Sequence, residues 1–81
     1  MKYRIQLFAI ASQLARTDCL EMDLPPGATV SALRTRLVEQ IPALAPVAKH
    51  LLFAIDADYA DDQAEIKPGA DIACIPPVSG G

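Results

Sequence analysis

Cysteine and histidine are scarce: two of the first, Cys19 and Cys74, and one of the second, His50, in 81 residues. Two cysteines so far apart do not make a disulfide framework, and in a reducing compartment both are expected to be free thiols. With no CxxC pair and a single histidine, a zinc site is excluded. Positive charge is also short. Seven Lys and Arg stand against ten Asp and Glu, a formal net charge of −3. That balance argues against nucleic acid as a partner, because a basic patch supplies most of such affinity. No apolar run is long enough to span a bilayer, so no membrane role is expected. The opening MKYRIQLF alternates polar and apolar residues, unlike the continuous apolar segment of a signal peptide, and the expected location is cytoplasmic.

What is abundant is apolar surface. Hydrophobic residues make up 52% of the chain and charged residues only 21%. That supports one domain with a real core, near the lower size limit for one, and leaves little polar cover. Some apolar surface is therefore expected to be reserved for a partner.

Tyr3, Ile5 and Leu7 alternate with Lys2, Arg4 and Gln6, the pattern of a half-buried strand. The segment AIASQLAR predicts a turn or two of helix, and Leu20, Met22 and Leu24 predict a second strand, antiparallel to the first. After the PPGAT punctuation, Thr29 is a candidate N-cap for VSALRTRLVEQI. There Val30, Leu33, Leu37 and Ile41 recur at helical spacing, Arg34, Arg36, Glu39 and Gln40 are expected to face solvent, and Pro42 ends the helix. Residues 51–55 read as a third strand, followed by an acidic loop, a turn at IKPGAD and a last strand over residues 71–75. The element order implies an α+β fold, a sheet covered by one long helix, with the two chain-end strands able to lie side by side.

The acidic loop holds Asp56, Asp58, Asp61, Asp62 and Glu65. Counted from Asp56, a calcium loop would need glycine sixth and glutamate twelfth; Asp61 and Lys67 stand there, so no metal is expected. The patch is either a solvated loop or a surface that steers a basic partner. His50, beside Lys49, reads as a surface residue. Cys74 alternates in phase with Ile72 and reads as a small core residue, while Cys19 lies on the polar phase of its strand. Neither has a nearby His or basic cluster in sequence to lower its pKa, which disfavours a small thiol enzyme.

The chain finishes on IPPVSGG. Pro76 and Pro77 lack the N–H needed for a ladder, so sheet pairing ends there and the chain leaves extended, reaching about 20 Å over its last six residues. Gly80 and Gly81 have no side chains, so their carboxylate can enter a channel that excludes a Cβ. With a pKa of roughly 3.5 that carboxylate is an unreactive anion near neutrality and must be activated. The chain has no nucleotide loop with which to do so.

The ending IKPGADIACIPPVSGG, the Leu7-Phe8-Ala9 stretch closing the first strand and the helix ATVSALRTRL together resemble the small, sulfur-carrying subunits of molybdopterin synthase. The likeness covers essentially the whole chain. It implies a ubiquitin-like β-grasp fold: a mixed sheet of about four to five strands on one long helix over residues 1–77, with a flexible Gly-Gly tail over residues 78–81. It also implies a role. An E1-like adenylyltransferase would use ATP to adenylate the Gly81 carboxylate, and a sulfur donor would replace AMP to leave a thiocarboxylate. The large catalytic subunit would then accept the tail in a heterotetramer and move the sulfur onto cyclic pyranopterin monophosphate. No cofactor would be bound, and the chain would be a co-substrate more than an enzyme. Gly81 would carry the chemistry, with Gly80 and Ser79 giving clearance. Phe8, Tyr59, Ile75, Pro76, Pro77 and Val78 would meet the partners. The chain departs from the family pattern at Ser12-Gln13, where an Arg-Glu pair is usual, and at Asp56, where Asn is common. A carrier for another pathway such as thiazole synthesis, and a β-grasp binding module that never carries sulfur, remain alternatives.

Phe8 falls on the phase of Lys2, Arg4 and Gln6, and Ile75 is out of phase with Ile72 and Cys74. With the first and last strands as parallel neighbours, the two side chains would meet on the outer sheet face near the root of the tail, as a docking surface. The alternative is that AIASQLAR folds over Phe8 and buries it.

Overall fold

Alternation in the first strand sorts its side chains cleanly. In β1 (Lys2–Leu7) Tyr3, Ile5 and Leu7 are buried while Lys2, Arg4 and Gln6 are exposed. The structure, a computed structural model, describes residues 1–77. β2 (Cys19–Asp23) pairs antiparallel with β1, Tyr3 opposite Met22 and Ile5 opposite Leu20. On its other side β1 pairs in parallel with β5 (Asp71–Ile75), setting Ile5 beside Ile72 and Leu7 beside Cys74. β3 (Leu52–Ile55) runs antiparallel to β5, and β4 (Asp58–Ala60) antiparallel to β3. The sheet order is β2-β1-β5-β3-β4, with the two chain-end strands central and adjacent.

Two helices, α1 (Ala9–Ala15) and α2 (Val30–Gln40), contribute to the core, so the expectation of a single long helix is corrected. α1 adds Ala11, which is fully buried in the same apolar cluster as Leu33, Leu37, Leu44 and the inward residues of the strands. Thr29 caps α2 as its position suggested, its hydroxyl accepting from the Ala32 N–H at 3.3 Å. The Val30 and Ser31 N–H groups donate to the Ala64 and Asp62 carbonyls, so the first turn of α2 is anchored on the segment before β5. Pro42 closes α2 and opens a short 3-10 turn (Pro42–Leu44), and a second turn (Ala48–His50) leads into β3.

Arg34 is not left to solvent. Its guanidinium donates to the Ala48 and Leu51 carbonyls, pairs with Asp62 at 2.7 Å and lies 5.0 Å from the centre of the Phe53 ring. One side chain thus ties α2 to the connection before β3 and to the acidic segment after β4. Otherwise the core is apolar; the Tyr3 hydroxyl, at its margin, donates to the Ile66 carbonyl at 3.4 Å.

β4 is a second correction, since residues 58–60 read as loop. The hairpin turns at Asp56 and Ala57, which both take left-handed backbone, φ 50° and 73°. Two-residue hairpin turns of that kind usually advertise themselves with glycine. Here Asp56 holds the turn instead, its N–H donating to the Asp71 carbonyl at 2.8 Å and its carboxylate accepting from the Asp71 N–H at 2.9 Å. An asparagine oxygen would accept the same bond, so this departure from the family pattern leaves the turn's architecture intact. The IKPGAD turn is as read, with Gly69 at φ 76° and the Ala70 N–H returning to the Lys67 carbonyl.

Candidate docking face and the exit of the chain

Strand register sorts the uncovered face of the sheet into rows. Lys2 and Asp23 form the row furthest from the end of β5, and the next holds Glu21, Arg4 and Asp71, with Asp56 hydrogen-bonded beside Asp71. The third row is Cys19, Gln6, Ala73, Ala54 and Tyr59. The row nearest the exit of the chain is Phe8, Ile75 and Leu52, for the Phe8 N–H continues the ladder by donating to the Cys74 carbonyl at 3.1 Å, and Ile75 pairs with Leu52.

That last row is apolar and open. Phe8 is 46% exposed and Leu52 45%, with half-buried Ile75 between them; Tyr59, 70% exposed, stands at the β4 side of the next row. Phe8 and Ile75 are brought together as their phases required, and α1 does not fold over Phe8. The reason is local. Ala9 takes a left-handed φ of 51°, which turns the chain toward the core after Phe8, and the Phe8 carbonyl then accepts from the Ala11 and Ser12 N–H groups to start α1. Such a conformation at a non-glycine residue costs about 1 kcal/mol and is held only by its surroundings. Leu52 was missed. Its signal was the phase of residues 52–55, masked because Leu51 and Ala54 are also buried and the run reads as continuously apolar.

The proline pair splits. Pro76 is buried, in phase with Ile72 and Cys74, and does not stand in the outer row, contrary to its grouping with partner-facing residues. Pro77 is exposed. Val78, Ser79, Gly80 and Gly81 lie outside the described residues. Ser12 and Gln13 lie on α1 just past Phe8, while Asp18 stands beside Phe8 in a shallow depression shared with Gln6 and Cys19.

Cys74 is fully enclosed, and burial pushes its thiol up to about 11 against the nearby Arg34 charge, which acts the other way. A thiol that holds its proton so firmly is a poor nucleophile at neutral pH. Cys19 is half-buried and free. Three of the five acidic residues have structural work: Asp62 pairs with Arg34, Asp61 accepts from the Gln63 N–H at 3.0 Å, and Asp56 holds its turn. Among the described residues no group of three His, Cys, Asp or Glu stands close enough to hold a metal, and no helix is long and apolar enough to cross a membrane.

Known proteins share this arrangement along the whole chain. The molybdopterin synthase sulfur carrier subunit of Arabidopsis thaliana is 31% identical over 81 residues, covering 100% of this chain and 84% of that protein. A putative molybdopterin converting factor subunit 1 from Pyrococcus furiosus superposes with a TM-score of 0.85 at 26% identity, over 96% of this chain and 99% of that one. SAMP1 from Haloferax volcanii superposes at 0.86 with 27% identity over 100% of both chains. The fold is the ubiquitin-like β-grasp. Residues 5–81 match the ThiS family, and the chain belongs to it.

Proposed function

We propose that the chain is the sulfur-carrying subunit of a molybdopterin synthase. One observation carries the reading: β5 delivers the C-terminal chain at the edge of an uncovered apolar row, Phe8, Ile75 and Leu52, on a domain whose relatives are named sulfur carrier subunits. A partner seated on that row stands beside the point where the described chain leaves the sheet, at Pro76 and Pro77. The chemistry belongs to the terminal carboxylate of Gly81. An E1-like adenylyltransferase joins it to AMP from ATP, releasing pyrophosphate. A sulfur donor then displaces AMP, leaving a thiocarboxylate, and the large subunit passes that sulfur to cyclic pyranopterin monophosphate. The chain binds no cofactor of its own, supplies no general acid or base, and works in the cytoplasm, where its thiols stay reduced. Ser79 and Gly80 give the tail its slim profile.

Intact mass after incubation with ATP, an E1-like enzyme and a sulfur source tests this. The expected result is replacement of one oxygen by sulfur, absent when a residue is added after Gly81 and retained in Cys19→Ser. Unmodified mass in the native chain, or sulfur lost with Cys19→Ser in a folded domain, contradicts it.

A further inference from the structure

Beside the apolar row, the outer face sinks into a shallow trough of about 550 Å³. Its floor is Ala54 and Ala73, direct neighbours across β3 and β5. Two alanines side by side at the centre of a sheet forgo the cross-strand packing that β-branched or aromatic residues supply there. The members of the same row beyond them, Gln6 and Tyr59, are long, so the missing volume is confined to the middle. Ala54 is buried although no described helix or strand covers this face.

The walls carry charge. Asp56 and Asp71 stand together at the end away from the apolar row, with Arg4 on the flank. In register Arg4 is set between Glu21 and Asp71, so this polar row holds one cation against three carboxylates. Asp56 uses one oxygen on the Asp71 N–H, and the Asp71 carboxylate forms no ion pair among the described residues.

We propose that this trough receives a basic side chain, arginine or lysine, from the protein that docks on the apolar row; the proposal rests on the docking reading above. The trough adjoins that row, so one partner surface covers both. The alanine floor accepts the aliphatic stem of such a side chain, and the carboxylates beyond it accept the cation. Arg4 is then the opposing element: it weakens binding of a basic group and helps reject partners that lack one well placed to reach Asp71.

The test titrates the whole chain and its variants against the large subunit of a molybdopterin synthase at low and high salt, with melting temperatures of each free domain. Ala73→Leu, which fills the floor, is expected to weaken binding about tenfold without lowering the melting temperature. Asp71→Asn is expected to weaken it severalfold and Arg4→Ala to tighten it severalfold, both effects shrinking at high salt. If folded Ala73→Leu binds normally, nothing enters the trough and the proposal fails. If Arg4→Ala weakens and Asp71→Asn tightens, the occupant is acidic and the proposal also fails. Should Ala73→Leu not fold, the signs of the two charge variants decide. Phe8→Asp separates the two levels: if it leaves the affinity unchanged the docking reading itself is wrong, whereas if it weakens binding and the trough variants do not, the trough proposal alone falls.

Discussion

The two faces of this sheet are both rich in apolar residues, yet only one is covered. On the inner face Tyr3, Ile5, Leu7, Met22, Phe53, Ile72 and Cys74 are buried in one core with residues of α1 and α2. On the outer face Phe8, Leu52 and Tyr59 remain open, with Ile75 half-buried among them. The same residue types are therefore enclosed on one side and open on the other, and strand phase decides which. Small domains have little core to spare, so large apolar groups left in water point to a partner.

Breaking the inner face is expected to have the largest effect. Phe53→Ala removes a fully buried ring that also lies against Arg34, and should destabilise the domain by about 3–5 kcal/mol in chemical denaturation. Much of a domain of this size would then be unfolded. Next is Leu52→Asp on the outer face, expected to weaken complex formation about tenfold or more while leaving the denaturation midpoint nearly unchanged. A midpoint as low as that of Phe53→Ala would erase the distinction between the faces.

Arg34→Ala sharpens the comparison from the covered side. It removes two backbone contacts, an ion pair and the stacking on Phe53, and a loss of about 2 kcal/mol is expected with no change in partner affinity. Alkaline pH probes the same core. The Cys74 thiol is raised from 9.0 to about 11 by burial, so its share of stability is complete below pH 9 and is lost as pH rises toward 11. The decline should be up to about 2 kcal/mol and should disappear in Cys74→Ala, which loses a little stability at neutral pH through its cavity. The smallest effect is a gain. Ala57→Gly relieves a left-handed backbone at φ 73° and should stabilise the β3–β4 hairpin by about 0.5 kcal/mol, read as a rise in melting temperature.

Most of the architecture was legible because it rests on periodicity. The alternation of β1 and β5 fixed both faces, Thr29 and Pro42 bracketed α2, and the phases of Phe8 and Ile75 placed both on the outer face. What escaped depends on contacts distant in the chain. β4 is three residues long and follows a hairpin turn without glycine, so no local signal separates it from loop. Arg34 sits on the polar side of its helix in sequence, and only the folding of residues 48–51 and 62 around it makes it structural. Pro76 looked like the start of the tail because proline ends a ladder; it still keeps the core phase of β5 for one more residue.

Phe8→Asp tests the central claim most directly, because it places a charge at the outer row while leaving Tyr3, Ile5 and Leu7 untouched. The measurement is paired: affinity for the synthase large subunit by titration calorimetry, and the melting temperature of the free domain. A loss of affinity of about thirtyfold or more is expected, with the melting temperature essentially unchanged. A domain that unfolds, or one that stays folded and binds as tightly as before, would contradict it.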